Sequence, residues 1–262
     1  AWGLTEPGSG SDAAAMRTRA VPGGEDFVID ASKAFITNAG VADIAVVMAV
    51  THPALGHKGV SAFILERGMT GFSAGKPSPT LGLHASNTAE LHFDHVRVPA
   101  SALLGASGMG FVNTMQVLEG GRIAMAAMAV GLAQGALDEA LKYMKQRSAF
   151  GKTLAEFNGL QGMIADMGTE VEAARLLTLR AAALKDGGRP AKVAASMAKV
   201  FASEVAMKTA TRALQIHGGA GYITEFPIER IFRDAKLTEI GEGTSEIQRM
   251  VIAREILGDR GA

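Results

Sequence analysis

The feature that most constrains this chain is a change of hydrophobic pattern near residue 105. From Val112 to about Arg147 there is no proline, and Ala, Met and Leu recur at helical spacing. Before that point apolar residues come in short runs divided by Gly, Pro and Ser. Residues 27–29 read as a strand after the turn signal Pro22-Gly23-Gly24, and residues 45–50 and 60–65 as two more. Residues 89–98 (AELHFDHVRV) alternate in period two. Leu91, Phe93, Val96 and Val98 are the inward candidates, with a register break near Asp94. The first part therefore reads as a small β-barrel or sandwich over residues 1–105.

The rest, 106–262, reads as helical. A second helix is expected from about Glu156 to Lys185, with Met163, Met167, Val171 and Ala174 on one face and residues 186–190 (DGGRP) as its stop. A third carries Val193, Met197, Val200, Phe201, Val205 and Leu214 and ends at residues 217–221 (HGGAG). A last helix starts near Thr244, capped by Thr244 or Ser245. Long helices with short loops imply an antiparallel four-helix bundle, so the expected class is α+β and multidomain.

Composition removes several kinds of chemistry. There is no Cys, so thiolate nucleophiles, disulfides and Cys-ligated zinc are excluded. Lys+Arg and Asp+Glu number 26 each, which gives no global field for nucleic acid. The most apolar stretches, 41–50 and 123–137, fall short of the ~20 residues of a membrane span. His92 and His95 form an H-x-x-H, but three residues along a strand point to opposite faces, so no metal site is expected. His217 beside its glycine run reads as a helix-end histidine or a ligand contact. The thirteen Met residues read as core filler.

Four segments carry chemistry-bearing residues. Residues 4–12 (LTEPGSGSD) mix glycines with hydroxyls, which suits close backbone approach to a ligand and equally suits a plain turn. In residues 35–40 (FITNAG), Phe35 and Thr37 share one strand face, and the aromatic fits core or platform. Arg147 in residues 147–151 (RSAFG) has the planar donor fork that suits phosphate, or is a solvated helix-end charge. Glu242 lies between two glycines just before a helix, able to reach into a cleft or to cap.

In order and spacing, TEPGSGSD, FITN, RSAFG, QIHGGAGY, RIFRDAKLTEI and EGTSEIQR resemble the acyl-CoA dehydrogenases, from Trp2 to about Leu257. Residues 174–183 (ARLLTLRAAA) look most like the short-chain, butyryl-type branch. The resemblance implies FAD as cofactor, acyl-CoA as substrate, an electron-transferring flavoprotein as acceptor and a homotetramer built as a dimer of dimers. It implies a location in the bacterial cytoplasm or the mitochondrial matrix. It makes Trp2, Leu4, Thr5, Gly10, Ser11, Phe35, Ile36 and Thr37 flavin contacts. Phe35 stands where many relatives have Trp. Arg147, Phe150, Asn158, Gln215, Gly218 and Gly219 match residues that reach the cofactor across a subunit interface. Asn158 stands where relatives often have Gln or His. Thr244 and Glu246 match FAD contacts at the last helix. Ser11, Glu119, Arg122, Gly243 and Arg254 match substrate contacts.

The resemblance makes Glu242 the base that removes the substrate α-proton. Some relatives carry that base on the helix of Arg122, but the position here is Gly121, and Glu119 is out of phase with it. In the family the backbone N–H of this Glu and a flavin ribityl hydroxyl stabilise the enolate, and the β-hydride passes to flavin N5. Relatives usually have an all-helical domain ahead of the first motif, which here opens the chain. The expectation is a pocket lacking one wall, so that turnover by these residues alone is open. The competing readings are an oxidase or flavin monooxygenase of the same fold, and a non-catalytic flavoprotein module.

Overall fold

The computed structural model describes residues 1–258, which divide into one unit up to Val117 and a second from Leu118. The first is built on seven strands: β1 Trp2–Gly3, β2 Arg19–Gly23, β3 Asp26–Thr37, β4 Ile44–Val50, β5 Val60–Glu66, β6 Phe72–Ala74 and β7 Thr88–Pro99. They form a single mixed sheet in the order β1-β4-β2-β3-β7-β6, with β5 also on β4. β1 and β2 run parallel to β4, and the remaining pairs are antiparallel. β2 and β3 turn at Gly24 and Glu25, where Gly24 takes φ +80° as a two-residue hairpin requires.

The long β3–β7 pair carries two bulges. Between Val96 and Phe93 β7 has one extra residue, at His95 with φ +51°, which is the break expected near Asp94. Between Lys33 and Ile36 the extra residue is in β3, at Phe35 with φ +57°. Leu91, Phe93, Val96 and Val98 are all buried with Ile29, Val47, Phe63 and Leu65 in one core. The β2 and β6 strands were not legible: both are short, and β2 holds a proline.

The helical part comprises α1 Gly110–Gln146, α2 Asn158–Asp186, α3 Lys192–His217, α4 Ile228–Ile240 and α5 Ser245–Leu257. A small hairpin, β8 Ser148–Ala149 with β9 Lys152–Thr153, joins α1 to α2. Glu156 is not the start of α2 but the partner of Thr153 in a capping box one turn earlier. In the second unit α2 runs antiparallel to α1, because Gln134 meets Arg175 while Gly120 lies near Lys185. It is antiparallel to α3 as well, through Glu170–Lys208 and Asp166–Arg212.

Five α-helices stand among the described residues, where the sequence pattern indicated four. The additional one, α4, follows Pro227 and places Ile228, Ile231, Phe232 and Ala235 on the core side. α3 also differs from expectation. Its buried face is Ala194, Ala198, Ala202, Ala206 and Ala210, together with Ser196, Lys199 and Ser203, while Phe201 is exposed. Small side chains let α2, α4 and α5 all approach this one helix.

Candidate active site

In the first unit the segment after β1 is held by a buried ion pair. Glu6 accepts from the Arg17 N–H at 2.7 Å, from the N–H and hydroxyl of Thr18 at 3.0 and 2.6 Å, and from Lys33 Nζ at 2.9 Å. Lys33 is fully buried and also donates to the Leu4 carbonyl at 3.1 Å. Burial pushes the Glu6 carboxyl up, but Thr18, the Arg17 N–H and Lys33 outweigh it, so the group sits below its ordinary value. The Ala34 N–H donates to the Thr5 carbonyl at 2.8 Å, which brings Leu4 and Thr5 beside the β3 bulge. There the bulge turns Phe35 outward, 74% exposed, with Thr37 exposed as well. Ile36 is 3% exposed and packs in the sheet core. Gly10 and Ser11 are exposed, with open space where a Cβ would sit at Gly10, and Trp2 is half-buried.

In the second unit Glu242 occupies the turn between α4 and α5. It has φ +56°, and Gly243 follows at φ +86°. Left-handed backbone at a non-glycine residue costs about 1–2 kcal/mol, so neighbouring contacts must hold it. The Glu242 carbonyl accepts from Gln248 Nε2 at 3.2 Å. The Gly243 carbonyl accepts from Gln248 Nε2 at 2.8 Å and from Lys199 Nζ at 2.8 Å. The Glu242 side chain reaches back to α1. A Cβ built at Gly121 would stand 2.9 Å from its Cδ and closer still to Oε2. The carboxylate thus fills the space that any side chain at position 121 would need.

Burial pushes the Glu242 carboxyl up, and the charges of Arg122 and Lys199 pull it part of the way back. Arg122 is 7% exposed, its Nε finds no partner, and Nη1 lies 3.5 Å from the Ser196 hydroxyl. Glu119 is close enough to Arg122 to act on its charge. A half-buried carboxylate with a raised proton affinity, facing two buried cations, is suited to taking a proton from a weak carbon acid.

The remaining candidates of the second unit fall in separate places. Thr244 is the N-cap of α5, accepting from the Ile247 N–H at 3.4 Å, and the buried Ser245 hydroxyl beside it has no partner. Glu246 is exposed in the first turn, and Arg254 exposed in the last. Arg147 is exposed at the hairpin, and Phe150, at φ +54°, is 96% exposed. Phe150 borders an apolar cavity of ≈ 560 Å³ lined also by Ala149, Leu154, Phe157, Leu160 and Met163. Asn158 opens α2 beside it and is exposed. Gln215, Gly218 and Gly219 are exposed where α3 ends. His217 is buried, its Nδ1 on the Ala213 carbonyl and its ring stacked 4.3 Å from that of Tyr143, which favours the helix-end reading. Among the described residues no cluster of His, Asp or Glu is arranged for a metal, and no helix is long and apolar enough to cross a membrane.

Sequence reasoning passed over Glu6, Lys33, Lys199 and Gln248. Two of them had a visible signal. Lys33 has the inward parity of Ile29 and Ala31, and Lys199 lies in the buried stripe Ala195, Ala202, Ala206. A lysine in phase with a core face is a buried charge that must have partners.

Comparisons with known proteins identify the family. The model of the acyl-CoA dehydrogenase middle domain matches residues 1–96, and that of the acyl-CoA dehydrogenase C-terminal domain matches residues 108–257. The chain is 50% identical over 256 residues to a short-chain-specific acyl-CoA dehydrogenase of Clostridium acetobutylicum, covering 98% of this chain and 68% of that protein. It matches the structure of butyryl-CoA dehydrogenase from Megasphaera elsdenii with a TM-score of 0.96 at 47% identity, covering 98% and 67%. A chain in the structure of the electron-transferring flavoprotein of Acidaminococcus fermentans matches with a TM-score of 0.96 at 50% identity, covering 98% and 68%. The chain thus spans about two thirds of the length of these relatives.

Proposed function

The chain belongs to the acyl-CoA dehydrogenase family, and from that premise we propose that it dehydrogenates acyl-CoA to trans-2-enoyl-CoA with FAD as cofactor and an electron-transferring flavoprotein as acceptor. The observation that carries this reading is Glu242, half-buried, cramped against Gly121 and held in a left-handed turn. Its carboxylate removes the substrate α-proton. Burial raises its basicity, and the charges of Arg122 and Lys199 offset part of that rise. Arg122, Glu119, Ser11, Gly243 and Arg254 are assigned to the acyl-CoA. The relative named for short chains makes a C4 acyl group the first substrate to try.

The residues fit a flavin. In the first unit Phe35 offers an exposed ring face and Thr37 an exposed hydroxyl beside the Leu4–Thr5 backbone. In the second, Thr244 and Glu246 stand at a helix N-terminus, which favours phosphate. The cavity beside Phe150 has the apolar lining that an adenine ring prefers, with Arg147 nearby in sequence for a phosphate. When bound, FAD supplies the acceptor for the β-hydride.

Anaerobic addition of acyl-CoAs of graded chain length to the yellow protein tests substrate, cofactor and activity together. Bleaching by butyryl-CoA, lost in Glu242→Gln with flavin retained, is the expected result. A loss of about three or more orders of magnitude in turnover fits removal of the base. Near-normal turnover of Glu242→Gln would sink the assignment, and rapid reoxidation of the bleached flavin by air would move the protein to the oxidases.

A further inference from the structure

Lys199 is a fully buried lysine of α3. Its ammonium donates to the Gly243 carbonyl, on the residue next to the base. Gln248 of α5 donates to the same carbonyl and to that of Glu242. These bonds hold both peptide planes that follow Glu242, in a turn where two successive residues have positive φ. An apolar residue would fill the same volume without the cost of burying a charge. The charge is instead retained at the one turn that carries the reactive carboxylate.

We propose that Lys199 is a positioning residue for the base, fixing the Glu242–Gly243 turn with Gln248 and setting the electrostatic balance at the Glu242 carboxylate. The inference rests on Glu242 as base. The charged groups facing Lys199 are Arg122 from α1, Glu239 from α4, Glu246 from α5 and Glu242 itself. Burial brings the Lys199 ammonium down to about 8, with the three carboxylates opposing that fall and Arg122 adding to it. Glu242 in turn faces Arg122 and Lys199. A positive charge here lowers the proton affinity of the base, so its removal must raise it.

The test uses the full chain with FAD and compares Lys199→Met, Lys199→Arg and Gln248→Met. With ¹³C-labelled glutamate side chains, the Glu242 carboxyl, identified by its loss in Glu242→Gln, is titrated by NMR. In Lys199→Met its midpoint rises by about half a pH unit or more, and in Lys199→Arg it stays near the wild-type value. Gln248→Met, which removes hydrogen bonds but no charge, leaves the midpoint in place. Turnover of Lys199→Met falls roughly tenfold or more with KM little changed. An unmoved carboxyl midpoint in Lys199→Met overturns the proposal. Should Lys199→Met fail to fold, coupling is reciprocal. The ¹⁵N titration of Lys199 must then fall to lower pH in Glu242→Gln, and an unchanged Lys199 midpoint overturns the proposal equally. Near-normal turnover in Glu242→Gln would instead remove the base assignment beneath it, a separate and distinguishable failure.

Discussion

At the scale of the residue, Glu242 combines three features: a left-handed backbone, a half-buried carboxylate, and contact so close that a side chain at position 121 would displace that carboxylate. Such features collect at sites where reactivity is needed. They have a measurable consequence for stability. Burial raises the Glu242 carboxyl above its ordinary value, so the folded protein prefers the protonated form. For a group shifted in that direction, the favourable contribution is complete below the unfolded pKa and is lost as pH rises through the folded one. Above that window the ionised Glu242 opposes folding. Glu242→Gln is therefore expected to melt slightly higher than wild type at pH 8, and the two to converge at low pH. In a chain of this size about 2–4 °C accompanies each kcal/mol. Calorimetry across that range, showing the variant equal to or below wild type at pH 8, would mean that ionised Glu242 does not oppose folding.

At the scale of the element, the segment between β1 and β2 has almost no regular structure, and its conformation depends on Glu6 and Lys33. Removing one partner strands the other in a dry site. Lys33→Met or Glu6→Gln alone should cost about 3–5 kcal/mol, and the double variant less than the sum of the two. Denaturant titration of the three variants measures this, and strict additivity would mean that the pair is not coupled. Because the Glu6 carboxyl lies below its ordinary value, its contribution is present above the unfolded pKa. It fades as pH falls through the folded value. The same element shows why a motif can be read without its mechanics. The spacing of Phe35 and Thr37 puts them on one strand face and leaves open whether that face is core or platform; both are exposed. The extra residue at Phe35 that breaks the β3–β7 register appears only once β7 is laid beside β3.

At the scale of the whole molecule, FAD, acyl-CoA and subunit assembly are assigned to residues spread over both units. Phe150 is the clearest test of the cofactor's far end. At 96% exposure it contributes little to folding, so Phe150→Ala should melt with wild type. Its FAD affinity should nevertheless fall roughly tenfold, the equivalent of about 1.4 kcal/mol. Flavin retention on gel filtration, with light scattering to follow the expected tetramer, reads both effects. Full flavin retention would detach Phe150 from the cofactor.

Period and punctuation in the sequence determined most of the fold. The alternation in β7, the long proline-free α1, and the stops after α2 and α3 depend on local backbone preference and on one buried face. Ordered motifs located Glu242 and nearly every residue assigned to cofactor or substrate. Tertiary structure alone decided which charges were buried and against what. The phase of Lys33 and Lys199 marks them as in line with a core face, but their partners, Glu6 and the Gly243 carbonyl, appear only when strands and helices close around them, because desolvation and pairing are properties of neighbours distant in sequence. For the same reason Gly121 is a gap in the chain's chemistry when read in line, and the space that the Glu242 carboxylate fills once α1 faces the turn before α5.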